Sequence, residues 1–133
     1  MKKILLAYDG GEPAKRALEQ TIELATRFGA EVGVISVVPT RIGRNPVDPW
    51  DDRTVHAEEL LEARRRLQEA GIEADLLEPG GDVAKTIERV ADERGYDTIV
   101  VGTRGLGNLA RTIQGSVSEH VAAHAHTTVV VAR

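Results

Sequence analysis

Two short segments carry residue types able to grip an anion and a sugar. The first is Gly102-Thr103-Arg104-Gly105, followed after nine residues by Gly115-Ser116-Val117-Ser118-Glu119. Gly102 closes an apolar run and Gly115 opens a helical pattern. Glycines in those places let backbone N–H groups approach an oxyanion closely, and a helix start adds donors at the positive end of its dipole. Arg104 and Arg111 are the only charged side chains from Gly102 to Ser118, so the stretch is cationic within a chain of net charge −4. Hydroxyls on Ser116 and Ser118 can add bonds to phosphate oxygens. Ser116 and Glu119 also fit a capping box, which still leaves other first-turn N–H groups available.

The second segment is Asp9-Gly10-Gly11. A carboxylate at the carboxyl end of a central parallel strand accepts bonds from ribose hydroxyls. An Asp-Gly pair also forms a turn by bonding its own backbone. Other signatures lead elsewhere. No Gly-x4-Gly-Lys-Ser/Thr occurs, and Gly105-Leu106-Gly107-x-x-Ala110 matches the dinucleotide pattern only loosely, behind the wrong strand and without a ribose-reading acid. His120 and His124 share a helix face, with His126 just beyond, but no Glu stands between them as in a zincin, and histidines suit a helix C-terminus. His56 reads as a lone surface histidine. Asp48, Asp51 and Asp52 are flanked by Arg44 and Arg53 and read as a solvated loop, and Arg64-Arg65-Arg66 as a solvated helix face.

Positioning the two segments requires a scaffold, and its elements are legible. Apolar runs at 4–8, 32–38, 74–77, 98–101 and 128–131 predict five strands. Between them, helical spacing joins Leu18, Ile22, Ala25 and Phe28; Ala57, Leu60, Leu61, Arg64 and Leu67; Val83, Ala84, Ile87, Val90 and Ala91; and Val117, Val121 and Ala125. Pro13 fits a first helical turn, Gly71 and Gly95 fit helix stops, and Asp82 and Ser116 fit caps. Such alternation predicts right-handed crossovers and a flavodoxin-like or Rossmann-like α/β fold: one domain over 1–133, an open parallel five-stranded sheet with four helices on its two faces. Ligands in such sheets bind beyond the strands' carboxyl ends, where strand order reverses. The segment 39–52, with three prolines and the only tryptophan, reads as a loop beside that edge, either a lid or partner surface or a variable insertion.

Composition bounds the function. The chain's 133 residues are 41% hydrophobic and 29% charged, ordinary usage for one globular domain. With 17 basic against 21 acidic residues, the mean field repels nucleic acid and anionic membrane. Cysteine is absent, which removes disulfides, thiol catalysis and thiolate metal sites, and aromatics at 3% leave little for base stacking. Asp9 interrupts the N-terminal apolar run before a signal sequence could be completed, and no run is long enough to span a bilayer, so a cytoplasmic protein without membrane or nucleic-acid partners is expected.

The spacing Gly-x2-Gly-x9-Gly-Ser, with Asp9 ending strand one and Val38 ending strand two, resembles the ATP-binding class of the universal stress protein (UspA-like) family over essentially the whole chain. The resemblance implies that Val38 presents backbone groups to adenine, that Asp9 bonds the nucleoside side, and that Gly102, Arg104 and Gly105 line the ribose and phosphates. Gly115, Ser116, Val117 and Ser118 would hold the phosphate tail. It further implies ATP as ligand, Mg²⁺ as the nucleotide's companion, a homodimer through the C-terminal strand, and a stress-related signalling or regulatory module. The chain departs from a frequent family pattern in carrying Gly11 where Ser is common, which removes one hydroxyl. The rival expectation is a nucleotide hydrolase or phosphoryl-transfer enzyme at the same site, which would need a base or water-positioning group not evident here. A phospho-receiver domain fits less well: strand one is followed by one acid, strand three by Glu78-Pro79, and strand five by Ala132-Arg133.

Overall fold

Period-two alternation along the first strand sorts side chains to the two faces of a sheet. In a computed structural model that describes residues 1–39, 53–102, 121 and 125–132, the chain runs β1 (Lys3–Ala7), α1 (Glu12–Phe28), β2 (Glu31–Ile35), β3 (Val38–Pro39), α2 (Arg53–Glu69), β4 (Ala74–Leu77), β5 (Gly80–Gly81), α3 (Val83–Arg94), β6 (Thr98–Gly102) and β7 (Thr128–Ala132). Ile4 and Leu6 of β1, with Tyr8 beyond it, pack with Ala14, Ala17 and Leu18 of α1 and Leu60, Ala63 and Leu67 of α2. Leu5 points the other way, into a cluster with Ile87, Val90 and Ala91 of α3 and with Val121. Helices therefore cover both faces, and the inner strands are apolar on both sides.

The five long strands form one parallel sheet in the order β4-β2-β1-β6-β7. The five strands and their parallel pairing follow the sequence expectation. Strand two differs: instead of one run over 32–38, it breaks after Ile35, and Val38–Pro39 pairs separately with Gly80–Gly81. The partner chain segment explains the break. Pro79 separates β4 from β5 and has no N–H to give a ladder; its carbonyl still accepts from Val38 N at 2.8 Å. Three helices lie among the described residues. The expected fourth falls mostly outside them, though Val121 is helical and its carbonyl accepts from Ala125 N at 2.9 Å, the i to i−4 bond of an α-helix.

Local signals account for the helix ends. Pro13 occupies the first turn of α1, Asp82 caps α3 by accepting from Lys85 N at 3.1 Å, and α1 and α3 stop at Gly29 and Gly95. Two expected core positions face solvent instead: Phe28 is 58% and Leu61 51% exposed. Phe28 is the last residue of α1, past the region the sheet covers, and Leu61 lies beside the buried stripe of Leu60, Ala63 and Leu67 rather than on it. One close approach fixes a residue type within the sheet. A Cβ on Gly33 would collide with the hydroxyl of Tyr96, which crosses from the segment after α3 over β2. Among the described residues, no helix is long and apolar enough to cross a membrane.

Candidate functional site

Strand order reverses at β1: β2 lies on one side of it and β6 on the other. Leu6 of β1 and Val100 of β6 are Cα partners, so Asp9, three residues on, and Gly102, two residues on, leave the sheet at one carboxyl edge. Val38, in β3 just past β2, lies on the opposite flank of β1. The structure thus brings Asp9, Val38 and Gly102 to the edge where doubly wound sheets hold ligands. Arg104, Gly105, Gly115, Ser116, Val117 and Ser118 lie outside the described residues, as does the segment 40–52.

Each of the three has a local reason for its place. Asp9 Oδ1 accepts from Gly11 N at 2.9 Å, and Gly10 sits at φ 78°, so the expected Asp-Gly turn is formed. A carboxylate offers about four acceptor positions, so the turn bond does not exhaust it. Val38 N donates to Pro79 O within the small β3–β5 ladder; a carbonyl has two lone pairs, so the Val38 oxygen can meet a base even from within that ladder. Gly102 has a packing reason that sequence reading did not contain: a Cβ there would lie 2.5 Å from the carbonyl carbon and oxygen of Pro13. Only glycine lets the first turn of α1 rest on the end of β6.

The β1 side of the edge is acidic. Tyr8 Oη donates to Glu62 Oε1 at 2.7 Å, and burial, then that bond and the negative charges of Glu62, Glu59 and Asp9, push the phenol far above its ordinary range. Glu59 lies against Gly10 and is pushed up to about 8 by burial first, then by Asp9 and Glu62. At the start of α1, Glu12 brings another negative charge to the first turn and Pro13 has no N–H to give. Donors such as hydroxyls and amines suit this end; phosphates do not.

Sequence reading missed Glu59, Tyr8 and Glu62. A signal existed: the buried stripe of α2 runs His56, Leu60, Ala63, Leu67, and Glu59 and Glu62 sit on its shoulder at helical spacing. His56, expected at the surface, is buried and lies 2.6 Å through Nδ1 from Ser36 Oγ, because the α2 stripe begins one turn earlier than its aliphatic residues indicate. His126 is exposed, and His120 and His124 lie outside the described residues.

Comparison with known proteins places this geometry in a family. The model of the universal stress protein family matches residues 1–133. A universal stress protein of Staphylococcus haemolyticus is 31% identical, covering 99% of this chain and 84% of that one. Among solved structures, a universal stress protein family member from Burkholderia pseudomallei superposes with a TM-score of 0.77 at 30% identity, covering 98% of this chain and 94% of its own. The universal stress protein from Archaeoglobus fulgidus in complex with dAMP superposes with a TM-score of 0.76 at 27% identity, covering 100% of this chain and 98% of its own.

Proposed function

We propose that this chain, which belongs to the universal stress protein family, binds an adenine nucleotide across the ends of β1 and β6 and acts as a ligand-dependent regulatory module. The observation that carries this is the polarity of the edge. Acids gather on the β1 side around Asp9, while Gly102 opens a cationic glycine segment, with Arg104 two residues on. A nucleotide has the same polarity, with hydroxyls and an amine at one end and phosphates at the other. Asp9 then accepts from the nucleoside, and the Val38 carbonyl accepts from the exocyclic amine. Gly102, Arg104, Gly105, Gly115, Ser116, Val117 and Ser118 surround the phosphates. The dAMP complex of the Archaeoglobus fulgidus relative supports the ligand class.

ATP is the proposed physiological ligand, with Mg²⁺ carried by its phosphates and water rather than by a protein cage. Ordering of the segment behind β6 by phosphate is the proposed signal, read by a protein partner in the cytoplasm. β7 stands at the sheet edge with Val131 exposed, and we assign it to a homodimer contact in which two copies bury that edge.

Mass spectrometry of the small molecules released on denaturation, followed by calorimetric titration with AMP and ATP, tests the reading. An adenine nucleotide near one per chain is expected. No heat with either nucleotide at about 1 mM would reject it. Sustained phosphate release above about 1 per second would instead favour a phosphoryl-transfer enzyme.

A further inference from the structure

Glu59 projects from α2 onto the turn that carries Asp9. A Cβ placed on Gly10 would lie 3.3 Å from both Cγ and Oε2 of Glu59, so the side chain rests on the turn itself. Oε2 is shielded from solvent and, among the described residues, has no hydrogen-bond partner. The groups that face it come from two elements. From the end of β1 come the Asp9 carboxylate and the Tyr8 phenol; from α2 itself comes Glu62, which holds that phenol at 2.7 Å. Among the described residues, the charged groups acting on Glu59 are both acidic.

An ionised oxygen without a donor, set between two negative charges, is costly, whereas a neutral carboxylic acid in the same place is tolerated. We infer that Glu59 supports the turn at residues 9–11 as a neutral acid, and that an anionic nucleotide held at this turn is taken up together with one proton on Glu59. This rests on the nucleotide reading above and adds a regulation to it: ligand occupancy is coupled to alkaline pH.

The direction follows from linkage. Burial, Asp9 and Glu62 push Glu59 up to about 8 without ligand. The phosphates of a nucleotide bound across this edge add negative charge to the same site and raise the proton affinity of Glu59 further, and by reciprocity the proton raises affinity for the nucleotide by the same factor. Below about pH 8 the acid already carries its proton, and affinity is level. Above that, each binding event must draw a proton from solvent, and affinity falls by up to about tenfold per pH unit.

AMP is a suitable probe, because its phosphate has a second pKa near 6 and stays doubly ionised at about pH 8.5. Calorimetry of the whole chain with AMP at that pH, in two buffers of different ionisation enthalpy, counts protons directly. Wild type is expected to take up a fraction of a proton per nucleotide. Glu59→Gln is expected to take up none and to bind with an affinity level from about pH 7 to 9.5. A second readout needs no ligand. Because the folded value of Glu59 is raised, wild type loses stability as pH rises from the ordinary value near 4.5 to about 8, so the melting-temperature difference should move toward Glu59→Gln across that window and level off above it. AMP bound by wild type with no proton uptake, uptake unchanged in Glu59→Gln, or a melting difference flat with pH would each overturn this inference alone. No AMP binding by wild type at about 1 mM would overturn it together with the nucleotide reading.

Discussion

The hydroxyl of Ser36 lies 2.6 Å from Nδ1 of His56, and both side chains are buried. Ser36 stands between β2 and β3 and His56 in the opening turns of α2, so one hydrogen bond joins the two chain ends that flank residues 40–52. It ties α2 to the sheet about one turn before Glu59, beside the apolar packing of Leu60, Ala63 and Leu67. Ser36→Ala removes a buried bond without adding volume and is expected to cost about 1–3 kcal/mol in urea unfolding. A loss below about 0.5 kcal/mol would mean the histidine is held by its other surroundings.

Asp9 closes the turn and, in the proposed function, meets the nucleoside, and substitution separates the two. Asp9→Asn keeps an oxygen for the Gly11 N–H, so stability should hold within about 0.5 kcal/mol while AMP affinity falls about tenfold or more, because a charged acceptor is lost. Asp9→Ala should lower both stability and affinity. Wild-type AMP affinity in Asp9→Asn, measured by calorimetry, would show that the nucleotide makes no use of the charge.

The legibility of this fold followed the range of the interactions involved. β1, β6, β7, α1 and α3 are written in local periodicity and caps, which neighbouring residues suffice to set: Ile4, Leu5 and Leu6 alternate, and Asp82 and Gly95 bracket α3. The break in strand two was invisible from 32–38 because its cause, Pro79, lies in another strand. His56 and Glu59 look polar and external in one dimension. Their burial comes from α2 lying on β2 and β4, which composition does not encode. Gly102 was read from its neighbours as an anion-binding glycine; its packing role was out of reach, since the approach of Pro13 is a contact across 89 positions.

Gly102→Ala tests that second reason. The new methyl would sit 2.5 Å from the Pro13 carbonyl, a backbone group that cannot swing aside, so a loss of about 1–3 kcal/mol is expected from urea unfolding. AMP affinity should fall as well, because α1 can yield only by moving the turn that holds Asp9. An alanine variant as stable as wild type would contradict the packing described here.

Among the described residues, β7 pairs only with β6, and Val131 on it is 38% exposed. Val131→Glu places a charge in the proposed contact between copies. At about 10 μM, light scattering should report a dimer for wild type and a monomer for the variant, since a buried unpaired carboxylate costs several kcal/mol. A wild-type monomer, or an unaffected variant, would move the contact elsewhere or remove it.

Gly33 and Tyr96 approach so closely that the room at one is set by the size of the other. Any side chain at 33 needs the phenol gone, and any loss of the phenol leaves a hollow over β2 that a larger residue at 33 would fill. A library varied at position 33 alone should return glycine, whereas one varied at both should return pairs that trade bulk between them. Bulk is admitted at 33 only where it is given up at 96.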